Sequence, residues 1–133
     1  MCFLEKEIKN KTEYTGYKIV AKKQNRDYYS IAMGFEYKED EDIPIVKKQE
    51  VLSDMFRDSI LEGPCHNPDM RGRTAVFRNK KDAGNFFRNI PRFYCVYQPV
   101  IVRATVKKDL MSGTYSFWNI VAGRRIKFHE EIK

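Results

Sequence analysis

The sequence predicts an α+β fold, with a mainly antiparallel, twisted sheet and one or two short helices packed on it. Apolar and polar residues alternate in several short stretches, which is the pattern of half-buried strands. One apolar stripe has helical spacing and lies between helix start and stop signals. We expect residues 1–133 to form a single domain, because this length suits one hydrophobic core.

The first third of the chain predicts a charged lead-in followed by a β-hairpin. Residues 1–13 are mostly charged and should form a short lead-in or edge segment. Alternation over residues 17–22 and 29–37, around a polar turn at 24–27, is typical of two paired strands. The acidic stretch 38–42 then predicts a solvated loop.

Two helices are predicted between residues 53 and 90. The first covers residues 53–61, where the apolar stripe is moderate. The second follows a predicted buried strand at 74–77, and Asn79 can cap its start. Apolar residues then recur at helical spacing until Pro91 ends the run: Ala83, Phe86, Phe87 and Ile90.

The last third of the chain predicts three strands. Alternating valines and alanine over 100–106 indicate the first strand. A turn at Ser112-Gly113 would precede the second, and Gly123 would form the turn before the third, at 126–132.

The charge distribution favours an anionic partner. The chain has 25 Lys and Arg against 18 Asp and Glu, a formal net charge of +7. Acids cluster at residues 36–42, whereas residues 71–92 hold one acid, Asp82, among seven basic side chains. We therefore expect one end of the fold to be electropositive.

The sequence favours a reduced, cytoplasmic setting without a membrane contact. No stretch approaches the ~20 apolar residues of a membrane span, and charges begin at Glu5, too early for a signal peptide. Three scattered cysteines without a C-x-x-C pair favour free thiols. No metal or cofactor is predicted, because Cys65-His66 has no further ligands nearby. Apolar strand edges could pair two copies into a homo-oligomer.

The predicted ligand-binding site is the loop Arg71-Gly72-Arg73. Glycine between two arginines would let the backbone approach an anion, and the guanidinium groups could bind a phosphate or carboxylate. Lys80 and Lys81 add charge at the start of the next helix. Tyr28 could stack on a base. The alternative is that Gly72 permits a turn and both arginines face solvent.

Several short motifs resemble a pattern in small uncharacterised phage and bacterial proteins. These are the stretch Gly72 to Ala83, the hairpin pieces at 17–20 and 28–30, and the late segment 121–126. The resemblance spans about residues 14–128. It implies a non-enzymatic, phage-type accessory protein of the host-cell cytoplasm. Such a protein would act on host defence by binding a nucleotide-like signal or an acidic protein surface.

The strand–helix unit is also similar to ADP-ribosyltransferase-like folds. That resemblance implies Lys18 where the family has His or Arg, and Tyr29 or Ser30 where it has Tyr or Ser. Glu130 or Glu131 would be the late glutamate. The chain would then be an enzyme that uses NAD or a related nucleotide. A third hypothesis is a nucleic-acid-binding module, supported by the charge and the interleaved aromatic residues.

Overall fold

A computed structural model describes six parts of the chain: residues 2–22, 27–30, 36–44, 72–89, 98–115 and 118–132. The predicted helix at 53–61 and the predicted site residue Arg71 lie outside these parts.

The described residues contain eight strands in one sheet, and all paired strands run antiparallel. The spatial order is β1-β6-β7-β4-β2-β5-β8, and β3 pairs with β2 beside this path. This confirms the predicted mainly antiparallel sheet, with β1 from the charged lead-in at one edge. The strands are β1 (Cys2–Glu7), β2 (Glu13–Lys22), β3 (Tyr28–Tyr29), β4 (Thr74–Phe77), β5 (Gln98–Lys107), β6 (Met111–Tyr115), β7 (Trp118–Gly123) and β8 (Arg125–Ile132).

The helix predicted after β4 is confirmed as α1 (Lys80–Asn89). The side-chain oxygen of Asn79 accepts a hydrogen bond from the Asp82 backbone N–H at 2.8 Å, so Asn79 is the predicted cap. The Asp82 carboxylate in turn accepts from the Asn79 amide at 2.9 Å. α1 packs on β2, β4 and β5. Phe86 lies 5.5 Å from Phe77 between ring centres.

Apolar side chains form two clusters at alternating strand positions, so both faces of the sheet are covered. The cluster on the helix side includes Ile19, Ala75, Phe77, Ala83, Tyr115, Ile120 and Ala122. The cluster on the opposite side includes Val20, Tyr37, Val76, Val102, Val106, Val121 and Ile126.

The predicted turn at Ser112-Gly113 is wrong. Both residues lie inside β6, where Gly113 pairs with Ile120 of β7. The turn that leads into β6 contains Lys108 and Asp109, which have φ values of 68° and 52°. Small polar residues such as Ser112 and Gly113 favour a turn by composition alone. Here they pair with β7, so they form part of a strand. In the described residues after α1, four strands are present rather than the predicted three.

The predicted strand over residues 29–37 is contradicted at its two ends, which are the parts of it that the structure describes. Glu36 forms an antiparallel bridge with Tyr29, and the Tyr37 N–H donates to the Tyr28 carbonyl at 2.9 Å. The two ends of the predicted strand thus lie side by side. Tyr37 is buried in the opposite cluster, where its ring centre lies 5.4 Å from that of Phe128 in an edge-on arrangement.

Gly16 permits the close approach of β2 to β4. A Cβ atom at this position would lie 2.4 Å from the Phe77 carbonyl oxygen and 2.7 Å from Cγ2 of Val76. The carbonyl belongs to the backbone of a buried strand and cannot move alone. The single residue pair between β2 and β4, Tyr17 with Phe77, is adjacent to this contact.

Replacing Gly16 with alanine should therefore destabilise the fold by about 1–3 kcal/mol through overpacking. Gly84→Ala is the matched control, since its nearest neighbour is Arg88 Nη1 at 3.7 Å. In a helix interior this change should stabilise by about 0.5–1 kcal/mol. Urea unfolding of both variants measures the difference, and equal stabilities would contradict the packing argument.

Candidate functional site

Two adjoining depressions form one basic surface beside β1 and the start of β2. Their volumes are about 850 and 650 Å³, and they share Glu7, Ile8, Lys9 and Lys11. Three acids line them: Glu5, Glu7 and Asp109. The basic side chains outnumber these acids and are Lys6, Lys9, Lys11, Arg73, Arg78, Lys108 and Arg124. We call this set the basic surface.

Tyr14 lines the first depression, and two cations lie near its ring. The Lys11 ammonium is 5.7 Å from its ring centre, and the Arg78 guanidinium carbon is 5.1 Å away. Both distances are in the range of cation–π attraction. Strand pairing with Val106 positions the Tyr14 backbone, and the Arg78 backbone N–H donates to the Asn119 carbonyl at 3.1 Å.

Four cations of the basic surface have no ion-pair partner among the described residues. They are Lys6, Lys9, Lys11 and Arg78, and their side chains donate no hydrogen bond within those residues. Lys6, Lys9, Lys11 and Arg78 are also exposed. Their charges are therefore available to an external anion.

Arg73 of the predicted loop lines the second depression. It is 8% exposed, and its Nε donates to the Asp109 carbonyl at 3.0 Å. Gly72 has a φ of 70°, a conformation that L side chains rarely adopt. The glycine therefore forms a turn, and the arginine side chain supports the turn that precedes β6.

The structure does not bring Lys80 and Lys81 together with Arg73. Both lysines are exposed in the first turn of α1 and line a separate depression of about 1010 Å³. The Asp82 carboxylate already lies at this helix start. Tyr28, the proposed stacking residue, packs 4.8 Å from the Phe128 ring centre on the opposite face.

Lys18 is buried. The ADP-ribosyltransferase-like resemblance implies this residue where the family has His or Arg. Lys18 is 2% exposed, and its Nζ donates to the Ala75 carbonyl at 3.0 Å. The ammonium also lies 5.7 Å from the Tyr37 ring centre. This geometry gives the side chain a structural role between β2 and β4.

The other residues that this resemblance implies lie on two strands. Tyr29 is in β3, with Ser30 directly after it, and Glu130 and Glu131 are in β8. Tyr29 is half-buried, and Ser30 is buried. Glu131 accepts from Lys22 Nζ at 2.7 Å, and Glu130 forms two hydrogen bonds with Arg103, of 2.5 and 3.1 Å. The Arg103 guanidinium holds the pKa of the Glu130 carboxyl below its ordinary value. Both glutamates are thus carboxylates that basic neighbours already bind.

Comparison with known proteins finds no matching family model, no matching curated protein and no matching solved structure. The phage-protein and ADP-ribosyltransferase-like resemblances therefore stay predictions.

In the parts of the chain that the structure describes, no helix is both long and apolar enough to cross a membrane. Nowhere in the same residues do three or more His, Cys, Asp or Glu side chains converge as metal ligands.

Tyr14, Lys11 and Lys9 line the basic surface but are not among the site residues that the sequence predicts. The lysines at 6, 9 and 11 lie in the segment that the sequence predicts to be a charged lead-in. Arg78 stands out in the sequence only as part of the basic stretch 71–92. Tertiary structure brings these residues together, since Tyr14 and Arg78 lie 64 positions apart.

Lys18→Ala should destabilise the protein by about 3 kcal/mol, because it leaves a cavity and removes the donor to a buried carbonyl. Lys22→Ala is the control, since Lys22 is half-buried and its ion pair is partly solvated. Its effect should stay within about 1 kcal/mol. Thermal and urea unfolding measure both, and a Lys18→Ala effect no larger than that of Lys22→Ala would contradict the assigned role.

Arg103→Gln should raise the pKa of Glu130 toward the ordinary value of about 4.3. Because the pKa of Glu130 is lowered in the folded state, this ion pair stabilises the fold at pH values above the ordinary carboxyl pKa. The contribution is lost as the pH falls through the lowered pKa of the folded state. An NMR titration of the glutamate carboxyl carbons measures the change. Lys127→Gln removes an exposed charge of β8 that has no ion-pair partner among the described residues, and it should leave this pKa unchanged. An unaltered titration in Arg103→Gln would contradict the assignment.

Proposed function

We propose that this chain is a non-enzymatic accessory protein that binds an anionic partner through the basic surface. The observation that carries the proposal is a group of four exposed cations that line the same depression as Tyr14 and have no ion-pair partner among the described residues. Many basic proteins have scattered surface lysines, but here the cations line one continuous concave surface. Such a surface attracts negative charge and speeds the encounter with an anionic partner.

The strength of this attraction depends on salt. Two unit charges 4 Å apart interact by about 1 kcal/mol in water, and the Debye length at physiological salt is about 8 Å. Four adjacent cations can thus contribute several kcal/mol at low salt, and much less when the salt concentration rises. A steep salt response is the expected signature of this site.

The contacts of Lys18, Glu130 and Glu131, which an ADP-ribosyltransferase-like enzyme would use, favour binding over catalysis. Lys18 is buried among apolar side chains, and basic neighbours already bind Glu130 and Glu131. A general acid or base must instead reach the substrate with its proton-carrying atom. This supports the non-enzymatic hypothesis over the NAD-using alternative.

The proposed setting follows from the resemblance to small phage proteins. A phage-encoded chain of this kind would act in the host-cell cytoplasm and antagonise host defence by occupying an anionic partner. The positive net charge of +7 suits that role, since it favours acidic targets.

The double variant Lys11→Ala/Arg78→Ala should weaken binding of a short, labelled heparin fragment about tenfold or more. The slope of log affinity against log salt should fall by about one for each lost contact, as for removed phosphate contacts. Fluorescence anisotropy over a salt series measures both quantities. The wild type should bind this polyanion at low salt, and a failure to bind would refute the proposed function.

Lys80→Ala/Lys81→Ala is the matched control. It removes the same charge from two exposed lysines that line a different depression. Its affinity should stay within about twofold of the wild type. Equal losses in the two double variants would show that net charge alone controls binding and would contradict the assigned surface.

A further inference from the structure

The acidic segment 39–42, which we call the acidic strap, is bound to basic side chains at the margin of the basic surface. Asp42 Oδ1 accepts from Arg125 Nε at 2.8 Å and from Lys108 Nζ at 3.4 Å. The Arg125 guanidinium lowers the pKa of the Asp42 carboxyl, so this group is a carboxylate at neutral pH. The strap is an exposed loop, as the sequence predicts, but it is not free in solvent.

The strap makes further contacts along β5 and β8. Asp40 Oδ1 lies 3.5 Å from Lys107 Nζ. Glu39 Oε1 accepts from the Phe128 backbone N–H at 3.1 Å, which occupies a donor at the outer edge of β8. Three acids of one short segment thus bind this margin with side-chain carboxylates.

Two residues belong both to the strap contacts and to the basic surface. Lys108 binds Asp42 and also lines the second depression. Arg124 lines the same depression, and its carbonyl accepts from the Ile43 N–H, at the end of the strap, at 2.8 Å. The basic surface and the strap contacts are therefore continuous. A ligand on the basic surface can reach Lys108, which the strap binds through Asp42.

The chemistry of these contacts favours an acidic polypeptide over a nucleic acid. The strap shows that carboxylates on a peptide backbone fit the cations of this margin. A single-stranded nucleic acid would need aromatic rings on which successive bases stack. Tyr14 is the one aromatic side chain that lines the two depressions in the described residues, and two cations already lie near its ring.

We infer that the anionic partner is an acidic polypeptide segment that extends along the basic surface and competes with the acidic strap for Lys108. This inference rests on the proposed function and adds the class of the partner. The strap is an intramolecular competitor, so contact with Lys108 requires the partner's carboxylates to replace that of Asp42.

The strap itself supplies a matched pair of variants. Asp42→Asn removes the charge that binds Lys108 and Arg125. Glu41→Gln makes the same change in net charge one position away, where the carboxylate has no partner among the described residues. Both side chains are exposed, so both variants should fold, and a melting curve of each checks this.

The experiment measures the anisotropy of a labelled oligo-glutamate peptide and of a labelled oligothymidylate of equal charge. The wild type should bind the peptide more tightly than the oligonucleotide. Asp42→Asn should tighten peptide binding about two- to fivefold beyond Glu41→Gln, as expected for release of an exposed ion pair.

Equal affinities of Asp42→Asn and Glu41→Gln for the peptide would overturn the competition. Tighter binding of the oligonucleotide than of the peptide would overturn the partner class. Either result, with binding that still depends on Lys11 and Arg78, would leave the proposed function in place. Loss of all polyanion binding by the wild type would instead refute the proposed function itself.

Discussion

The rest of the structure depends on the junction between β2 and β4. These strands share a single residue pair, Tyr17 with Phe77, yet they connect β1-β6-β7-β4 with β2-β5-β8. Gly16 lets the backbones approach, and the ammonium of Lys18 supplies a donor to the Ala75 carbonyl. A buried carbonyl without a donor would cost about 1–3 kcal/mol, so this hydrogen bond strengthens a junction where β2 and β4 share a single residue pair.

This junction explains why the chain combines a buried lysine with a cationic surface. Lys18 lies inside the fold, bonded to backbone and facing a tyrosine ring. On the outside, the acidic strap pairs with cations near β8, whereas those near Tyr14 have no ion-pair partner in the described parts of the chain. The same residue type thus has three roles, set by burial and by the nearest carboxylate. An exposed ion pair contributes little to the free energy of unfolding. Leaving the cations near Tyr14 without such a pair therefore costs little stability and keeps their charge available to a partner.

Local signals predicted the elements whose patterns are complete within a few residues. The strand at 74–77, the cap at Asn79 and the helix stripe from Ala83 depend on neighbours up to one or two turns away. The prediction failed where pairing with another segment, rather than local composition, decided the result. Ser112-Gly113 lies in a strand because β7 pairs with it, and Glu36 forms a bridge with Tyr29 where the sequence predicts that both lie in one strand.

The sequence by itself determined the net charge, the separation of acidic and basic stretches, and the local start of α1. These properties follow from residue identity and from contacts between near neighbours. Only the tertiary structure decided which cations are unpaired, because each pairing joins residues far apart in the chain, as Asp42 with Arg125. It placed Arg73 and Lys80 in different depressions, and it brought Tyr14 to Arg78. The distance between two such side chains cannot be read from their positions in the sequence, because strand register and turn geometry determine it.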